Sequence, residues 1–171
     1  VTADASYGID VAAGGNWDDN IYASESAGDW TVSATYGALS TTAALHVTHG
    51  DATGLALSPD PATITAGQVV TYAATAQDAY GNTWDVTDAT SFAIDDAAGG
   101  NWDDNVYTSE SAGDWTVSAT HGDRSATATL HVIEGQIINI TLSPAEKSVT
   151  AGERVTYTVS AEDDHGNIWD A

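Results

Sequence analysis

The sequence repeats itself at a fixed offset of 85 positions. Trp17 recurs as Trp102, residues 57–59 recur as residues 142–144, and no insertion or deletion interrupts the match. A period of this length exceeds the roughly 20 to 50 residues of solenoid repeats and approaches the length of a small β-sandwich. The sequence therefore predicts successive copies of one domain rather than the turns of a solenoid.

One period contains a series of short segments with the pattern of β-strands. Apolar residues alternate with polar ones, and prolines, glycines and Asp-Asn pairs separate the segments. Residues 95–105 are rich in Gly, Asp and Asn and are expected to form a loop or a tight hairpin. The pattern indicates an all-β fold of tandem antiparallel β-sandwiches. In the middle copy the predicted strands cover residues 55–57, 62–65, 69–76, 90–94, 106–108, 115–120 and 126–132.

Three runs of this sequence resemble a known group of domains. Residues 64–72, followed by the Asp-Ala-Tyr-Gly-Asn run at 78–82, are similar to the first half of bacterial Ig-like domains of intimin and invasin-type surface proteins. Residues 106–120 are similar to the second half of the same domains. The resemblance implies an Ig-like fold and an extracellular setting, and it carries no catalytic residues to transfer.

The predicted domain boundaries do not coincide with the ends of the sequence. Residues 1–50 correspond to the C-terminal part of one Ig-like domain, residues 51–135 to a complete domain, and residues 136–171 to the N-terminal part of the next. Because the first residue is Val1 rather than Met, the sequence is expected to be part of something longer. Val1-Thr2 matches Val86-Thr87, so the tail of one copy fits the head of another.

Each terminal segment lacks the strands that the other provides. We therefore expect a head-to-tail polymer, in which the copies continue one another as one polypeptide or donate strands to one another as separate chains. A sequence cut arbitrarily inside two domains is the alternative explanation. The predicted assembly residues are Ile138, Ile140, Leu142, Val155, Tyr157 and Val159 in the tail, with Tyr7, Ile9, Trp30 and Val32 in the head.

Charge excludes several classes of partner. The chain has 25 acidic residues against three Lys and Arg residues, which gives a formal net charge of −22 at pH 7. Such a chain repels nucleic acid and anionic lipid surfaces, so neither nucleic-acid binding nor membrane insertion is expected. The acidity is typical of a solvated surface, and it is also compatible with adaptation to high salt or with binding of divalent cations.

Acidic and amide side chains cluster in the turns where one domain is expected to meet the next. They are compatible with a calcium site, since Ca²⁺ takes six to eight oxygen ligands, but plain turns use Asp and Asn beside Gly in any protein and are the favoured interpretation. A calcium site here would raise the unfolding temperature of chelated protein when millimolar Ca²⁺ is added. The candidate ligands are Asp51, Asp78, Asn82, Asp85 and Asp123 at the first junction and Glu134, Asp163, Asp164, Asn167 and Asp170 at the second.

Four tryptophans lie outside the alternating strands. Trp17 and Trp102 occupy Gly-rich acidic loops, and Trp84 and Trp169 follow the Gly-Asn turns. An exposed indole in such a loop can stack on a sugar ring or on a neighbouring filament, whereas a half-buried one seals the edge of a core. Both interpretations stay open from sequence alone.

No catalytic constellation is recognisable in the sequence. It contains no cysteine, no nucleophile elbow, no phosphate-binding glycine loop and no HExxH motif, and its histidines are scattered. We therefore expect a non-enzymatic structural repeat of an extracellular fibre or cell-surface stalk. The alternative is an adhesin or glycan-binding module of a surface protein that uses the four tryptophans.

Overall fold

The computed structural model describes residues 5–171, so the match of Val1 and Thr2 with Val86 and Thr87 lies outside it. Within the described residues there is no α-helix, and most of the chain forms short strands. The strands are arranged in several sheets, and their only parallel pairing among these residues is between residues 130–133 and 62–65. The chain is therefore an all-β protein, as the sequence predicts.

The strands follow the order of the predicted copies. Residues 5–50 contain β1 (Ser6–Ile9), β2 (Asn16–Asp18), β3 (Ile21–Ala23), β4 (Gly28–Tyr36) and β5 (Leu39–Val47). Residues 51–135 contain β6 (Gly54–Ser58), β7 (Ala62–Thr65), β8 (Val69–Thr71), β9 (Ala73–Gln77), β10 (Thr83–Asp85), β11 (Ser91–Ile94), β12 (Asn101–Asp103), β13 (Val106–Thr108), β14 (Gly113–His121) and β15 (Arg124–Ile133). The tail contains β16 (Ile137–Ser143), β17 (Thr158–Asp163) and β18 (Ile168–Asp170).

These strands pair into six sheets among the described residues. Their orders are β1-β4-β5, β2-β3, β10-β9-β6, β11-β14-β15-β7, β12-β13-β8 and β16-β17-β18. Short 3-10 turns occupy Val11–Ala13, Thr87–Ala89 and Asp96–Ala98. Elements of the first and middle copies recur at the sequence offset, since β1 and β11, or β4 and β14, begin and end 85 residues apart.

Alternation places the core of the middle copy on one face of β14 and β15. Val117 and Leu130 are fully buried, whereas Thr116 and Thr129, which alternate with them, are exposed. Burying such aliphatic side chains is the main favourable contribution to folding of a chain without disulfides. The buried cluster consists of Ala62, Ala66, Val70, Tyr72, Tyr107, Val117, Ala128, Leu130 and Val132, with Phe92, Trp102 and Trp115 packed against it.

The single strand predicted at 69–76 is wrong, because the chain changes sheet at Tyr72. On one side β8 pairs with β13, and on the other β9 pairs with β10. At the change itself the Tyr72 N–H donates to the carbonyl of Asn105, whose side-chain amide donates back to the Tyr72 carbonyl. Continuous alternation in the sequence cannot reveal such a change, because it records which face is buried and not which strand is bonded.

The loop or tight hairpin predicted at 95–105 is a hairpin in its second part. Asp103 of β12 pairs with Val106 of β13, and Asp104 between them has a left-handed φ of 51°. Asp is one of the few side chains that tolerates this conformation. The strand β10, which is only three residues long and pairs with β9, is not apparent from the sequence pattern.

Equivalent core residues are less buried in the first copy. Leu130 and Val117 are inaccessible to solvent, but their counterparts Leu45 and Val32 are only half-buried. The difference arises because, among the described residues, no strand equivalent to β7 or β8 pairs with β5 or β3.

The chain divides into two compact units that do not follow the predicted domain boundaries. Among the described residues, one unit comprises residues 5–55 with 75–85, and the other comprises residues 56–74 with 86–171. The first unit therefore combines the strands of the first copy with residues 75–85 of the next copy, and the second unit combines the rest of the middle copy with the tail. The division into domains 1–50, 51–135 and 136–171 stays a prediction based on the repeat.

We expect the two copies to respond differently to the same core truncation. Leu130→Ala should lower the free energy of unfolding of the monomeric chain by about 3 kcal/mol, because it leaves a cavity at a fully buried site. Leu45→Ala should cost about 1 kcal/mol, because its side chain is only half-buried. Urea denaturation of both variants at low protein concentration measures the difference, and equal losses would contradict the described burial.

Candidate functional site

The turn at residues 78–82 is organised around a buried carboxylate. Asp78 is only 4% exposed. Its Oδ1 accepts hydrogen bonds from the N–H groups of Tyr80 and Asn82, each at 2.9 Å. Its Oδ2 accepts from the N–H of Gly50 and from Nδ2 of Asn82, each at 2.8 Å. The carboxylate therefore ties its own turn to the segment that links the first two copies.

Asn82 extends the contact into the preceding copy. Its Oδ1 accepts from the N–H of Ala27 at 2.8 Å, and its Nδ2 donates to the carbonyl of Glu25 at 2.9 Å. These partners lie 55 and 57 residues earlier in the chain. We call Asp78 and Asn82, with their partners Gly50, Glu25 and Ala27, the junction clamp.

A second junction clamp has the same geometry. Asp163 is 1% exposed, and its Oδ2 accepts from the N–H of Gly135 at 2.7 Å. Asn167 accepts from the N–H of Ala112 at 2.7 Å and donates to the carbonyl of Glu110 at 3.0 Å. Each partner lies 85 positions after its counterpart in the first clamp, so the same side chains join both pairs of copies.

Hydrogen bonding keeps both clamp carboxyls charged. Burial is the largest single influence on Asp78 and by itself would raise the pKa. The bond from the Asn82 side chain, followed by those from three backbone N–H groups, outweighs burial and lowers the pKa of Asp78 to about 2. Asp163 is governed by the same balance, and its pKa is likewise lowered to about 2.

The structure gathers few of the predicted metal ligands. Among the described His, Cys, Asp and Glu residues, one group of three could hold a metal ion: Asp163, Asp164 and His165, with ligand atoms within 4.8 Å of one another. The remaining predicted acidic ligands join no such group within residues 5–171: Asp51, Asp78, Asp85, Asp123, Glu134 and Asp170. Asn82 and Asn167 point their amides at backbone groups of the clamps.

Asp163 already accepts four hydrogen bonds, from Gly135, from His165 and twice from Asn167. A carboxylate has about four lone-pair sites, so hydrogen bonds within the protein occupy those of the Asp163 carboxylate. The Asp164 carboxylate instead contacts Nδ1 of His165 at 2.8 Å on the surface. Calcium binding at the junctions stays a prediction, while the turn interpretation accounts for every contact described.

Trp102 packs among aromatic side chains. Its ring is stacked on Phe92 with a centroid separation of 5.7 Å, and it lies 5.0 Å from Tyr107 and 6.0 Å from Tyr72. Its indole N–H is buried and has no hydrogen-bond partner among the described residues. Trp17 has equivalent contacts with Tyr7 and Tyr22. These rings are half-buried at the edge of a core.

Trp84 stacks face to face on His49, with centroids 3.6 Å apart and planes inclined by 6°. Trp169, its counterpart, is half-buried, and Glu134 occupies the sequence position equivalent to His49. No contact of the described residues favours a carbohydrate at any of the four tryptophans, so the glycan-binding alternative stays a prediction.

The predicted assembly residues differ in exposure between head and tail. In the head all four are half-buried: Tyr7, Ile9, Trp30 and Val32. In the tail, Ile138, Ile140, Leu142 and Tyr157 are between 53% and 66% exposed, whereas Val155 and Val159 are half-buried.

The contacts of the clamp residues are not apparent from the sequence, which predicts Asp78, Asn82, Asp163 and Asn167 only as oxygen ligands. The signal available was the identical spacing of Asp and Asn in both copies, four residues apart with Gly before the Asn. A side chain that bonds backbone groups 55 residues away leaves no local pattern by which those partners can be recognised.

Comparisons with known proteins give structural similarity alone. No protein-family model and no curated protein matches the chain. It is similar to domains 4–9 of the surface layer protein SbsC, with 19% identity over 99% of this chain and 29% of that structure. It is also similar to domains 5–6 of SbsC, with 20% identity over 70% of this chain and 67% of that structure. Both TM-scores are 0.34. The chain spans less than a third of the first of these structures, and the function proposed below rests on its own contacts.

Within residues 5–171, no helix has the length and apolar character needed to cross a bilayer.

The clamps should make stability depend on acid. Because the pKa of Asp78 and of Asp163 is lower in the folded chain than the ordinary value of 3.8, their stabilisation is complete above about pH 4 and is lost as the pH falls towards about 2. The double variant Asp78→Asn/Asp163→Asn should therefore have a lower unfolding temperature than the native chain at pH 7. This difference should shrink steadily between pH 4 and pH 2.

The matched control is Asp51→Asn/Asp123→Asn, which makes the same change in net charge at two exposed positions. Its unfolding temperature should follow that of the native chain across the whole range. A constant offset between the clamp variant and the native chain down to pH 2 would show that the carboxylates are not the titrating groups.

Proposed function

We propose that this chain is a non-catalytic structural repeat of an extracellular fibre or cell-surface stalk. In this assembly, residues 136–171 of one copy complete residues 1–50 of the next copy, as an Ig-like domain. The observation that carries the proposal is a match between strand edges that are unpaired in the head and residues that form no strand in the tail.

Two edges in the head lack partners that their counterparts have. In the middle copy β15 pairs in parallel with β7, and β13 pairs with β8. The equivalent strands of the head, β5 and β3, pair only with β4 and β2 among the described residues. An unpaired edge presents a row of backbone donors and acceptors and so forms a template for another strand.

The tail contains the sequence counterparts of the missing strands, but these residues do not form strands. Residues 147–150 and 154–156 are the counterparts of β7 and β8, and neither segment forms a strand. By contrast, β16, β17 and β18 form a sheet like that of β6, β9 and β10. The counterparts of β7 and β8 require the free edges of β15- and β13-like strands. The edges of β15 and β13 themselves are already paired with β7 and β8, and the free edges are those of β5 and β3.

Apolar side chains of the tail are exposed where their counterparts are covered. Tyr157 is 53% exposed, although its counterpart Tyr72 is fully buried against Trp102 and the rest of the core. Leu142 is 53% exposed, whereas its counterpart Leu57 packs against the same core. Transfer of Tyr157 and Leu142 onto the half-buried head residues would remove apolar surface of both partners from water, at about 25 cal/mol per Å².

The proposal accommodates both ways of joining copies. Residue 170 is in phase with residue 85, and residue 1 with residue 86, so a tail can pass directly into a head within one polypeptide. A tail and a head from separate chains can make the same contacts as strand donor and acceptor. A contact between two different surfaces leads to a filament unless it closes into a ring.

The strongly acidic composition and the resemblance to surface-protein modules support an extracellular location.

A charge at Tyr157 should block assembly without harming the chain itself. Tyr157→Asp places a carboxylate at an exposed position that must become buried in the complex. We expect the variant to keep the unfolding temperature of the native monomer and to lose self-association by at least tenfold. Light scattering over a concentration series, with negative-stain electron microscopy of the products, measures the loss.

Val11→Asp is the matched control. Val11 is 99% exposed, and its counterpart in the middle copy is Asp96, so this fold accepts an Asp at the position. The control should assemble as the native chain does.

A fused variant tests the completion of the head directly. When residues 136–170 are fused ahead of Val1, the amides of β5 in that chain should be protected from hydrogen exchange even in the monomer. Unchanged exchange in β5 of the fused chain would refute the proposed completion of the head.

A further inference from the structure

The turn between β7 and β8 is held by one serine of the middle copy. Ser109 is 2% exposed. Its N–H donates to the Gln68 carbonyl at 3.0 Å, its carbonyl accepts from the N–H of Gly67 at 3.0 Å, and its hydroxyl lies within hydrogen-bond distance of the carbonyls of Thr65 and Gln68. One residue thus binds the whole Thr65–Gln68 turn.

The same turn also meets the next copy. A Cβ atom added at Gly67 would stand 2.5 Å from Cε1 and 2.6 Å from Nε2 of His165, so the imidazole lies directly against this glycine. Gly67 has a left-handed φ of 82°, and only a residue without a side chain leaves room for the ring. His165 belongs to the second junction clamp, because its N–H donates to Asp163.

Counterparts of both contact residues are exposed in the first compact unit. Ser24 corresponds to Ser109, and Tyr80 corresponds to His165. Ser24 is exposed, and Tyr80 is 64% exposed. The junction clamp lies beside both residues, since Asp78 binds the N–H of Tyr80 and Asn82 binds the carbonyl of Glu25, the residue after Ser24. The two residues are therefore held on a constrained surface.

The matching turn in the tail is already formed. Within residues 150–153 the N–H of Glu153 donates to the Thr150 carbonyl at 3.0 Å, and the Glu153 side chain accepts from the Thr150 N–H at 2.8 Å. The Thr65–Gln68 turn has the same two bonds, at 2.9 and 3.0 Å. Gly152 has a φ of 98°, and a Cβ atom there would meet nothing within 4 Å.

We propose that Ser24 and Tyr80 form a socket that receives the Thr150–Glu153 turn of a second copy of this chain. Ser24 binds the backbone of the turn as Ser109 binds the Thr65–Gln68 turn, and the Tyr80 ring packs on Gly152. This inference rests on the proposed head-to-tail assembly and names a contact within it. The donated segment thereby touches two successive copies of its acceptor, namely the head that it completes and the clamp turn of the following copy.

Crosslinking between separate chains tests the socket directly, because the native sequence contains no cysteine. Chains that carry only Tyr80→Cys are mixed with chains that carry only Gly152→Cys and treated with a short bismaleimide. We expect a covalent dimer whose crosslinked peptides contain positions 80 and 152. Each variant alone should not yield that peptide pair.

The control is Gly67→Cys/His165→Cys, which places the reactive pair at the equivalent contact inside one chain. It introduces the same kind of strain, because both glycines have positive φ values. Suppose that the native chain assembles and the control is crosslinked, but no dimer linked through positions 80 and 152 forms. This result would overturn the socket and leave head-to-tail assembly in place. Absence of self-association in the native chain would overturn the socket between separate chains and, with it, assembly by strand donation between them.

Two substitutions measure the strength of the contact. Tyr80→Gly should raise the concentration required for assembly about five- to tenfold, the scale expected of one aromatic contact. Tyr80→His should leave that concentration near the native value, because His165 makes the equivalent contact in the middle copy. Equal effects of the two variants, or no effect of Tyr80→Gly, would contradict packing of this ring on Gly152.

Discussion

A buried carboxylate that must be fully hydrogen-bonded is the constraint on which each junction between copies depends. Taking an ionised side chain out of water is costly unless its lone pairs find donors. Asp78 meets this requirement with donors from its own turn, from Asn82 and from Gly50 in the linker. The need for those donors fixes the turn and the linker together. It also orients Asn82 so that its remaining groups reach the preceding copy.

This constraint and strand pairing together determine which segments of the tail form strands. The second clamp holds Asp163 and Asn167 against residues 110–112 and 135, and these clamp residues frame β17 and β18. The sheet β16-β17-β18 therefore forms although residues 147–150 and 154–156 form no strand. Residues 147–150 and 154–156 have no such support and stay irregular, because a lone strand cannot satisfy its backbone groups without a neighbour. The clamp thus holds in place the sheet from which the unpaired segments extend.

Part of this architecture could be predicted from the sequence because it depends on local pattern. Alternation placed β14 and β15 and their buried faces, and prolines and glycines placed the ends of β6 and β7. The change of sheet at Tyr72 could not be predicted, because both sides of that residue have the same period-two pattern. The clamp could not be predicted either, since Asp beside Gly-Asn is typical of an ordinary turn. Its distinguishing feature is a set of backbone partners up to 57 residues away.

Charge and exposed apolar surface act in opposite directions on self-association. The tail exposes Ile138, Ile140, Leu142 and Tyr157, and such exposed apolar side chains favour non-specific strand pairing. A net charge of −22 repels every approaching copy over roughly 8 to 10 Å at physiological ionic strength. In the proposed assembly, one encounter pairs the edges of β3 and β5, buries the apolar faces and seats the Thr150–Glu153 turn, so its many simultaneous contacts oppose this repulsion. Under that proposal, the acidic surface favours one register of assembly over the many less complementary ones that exposed strands could otherwise adopt.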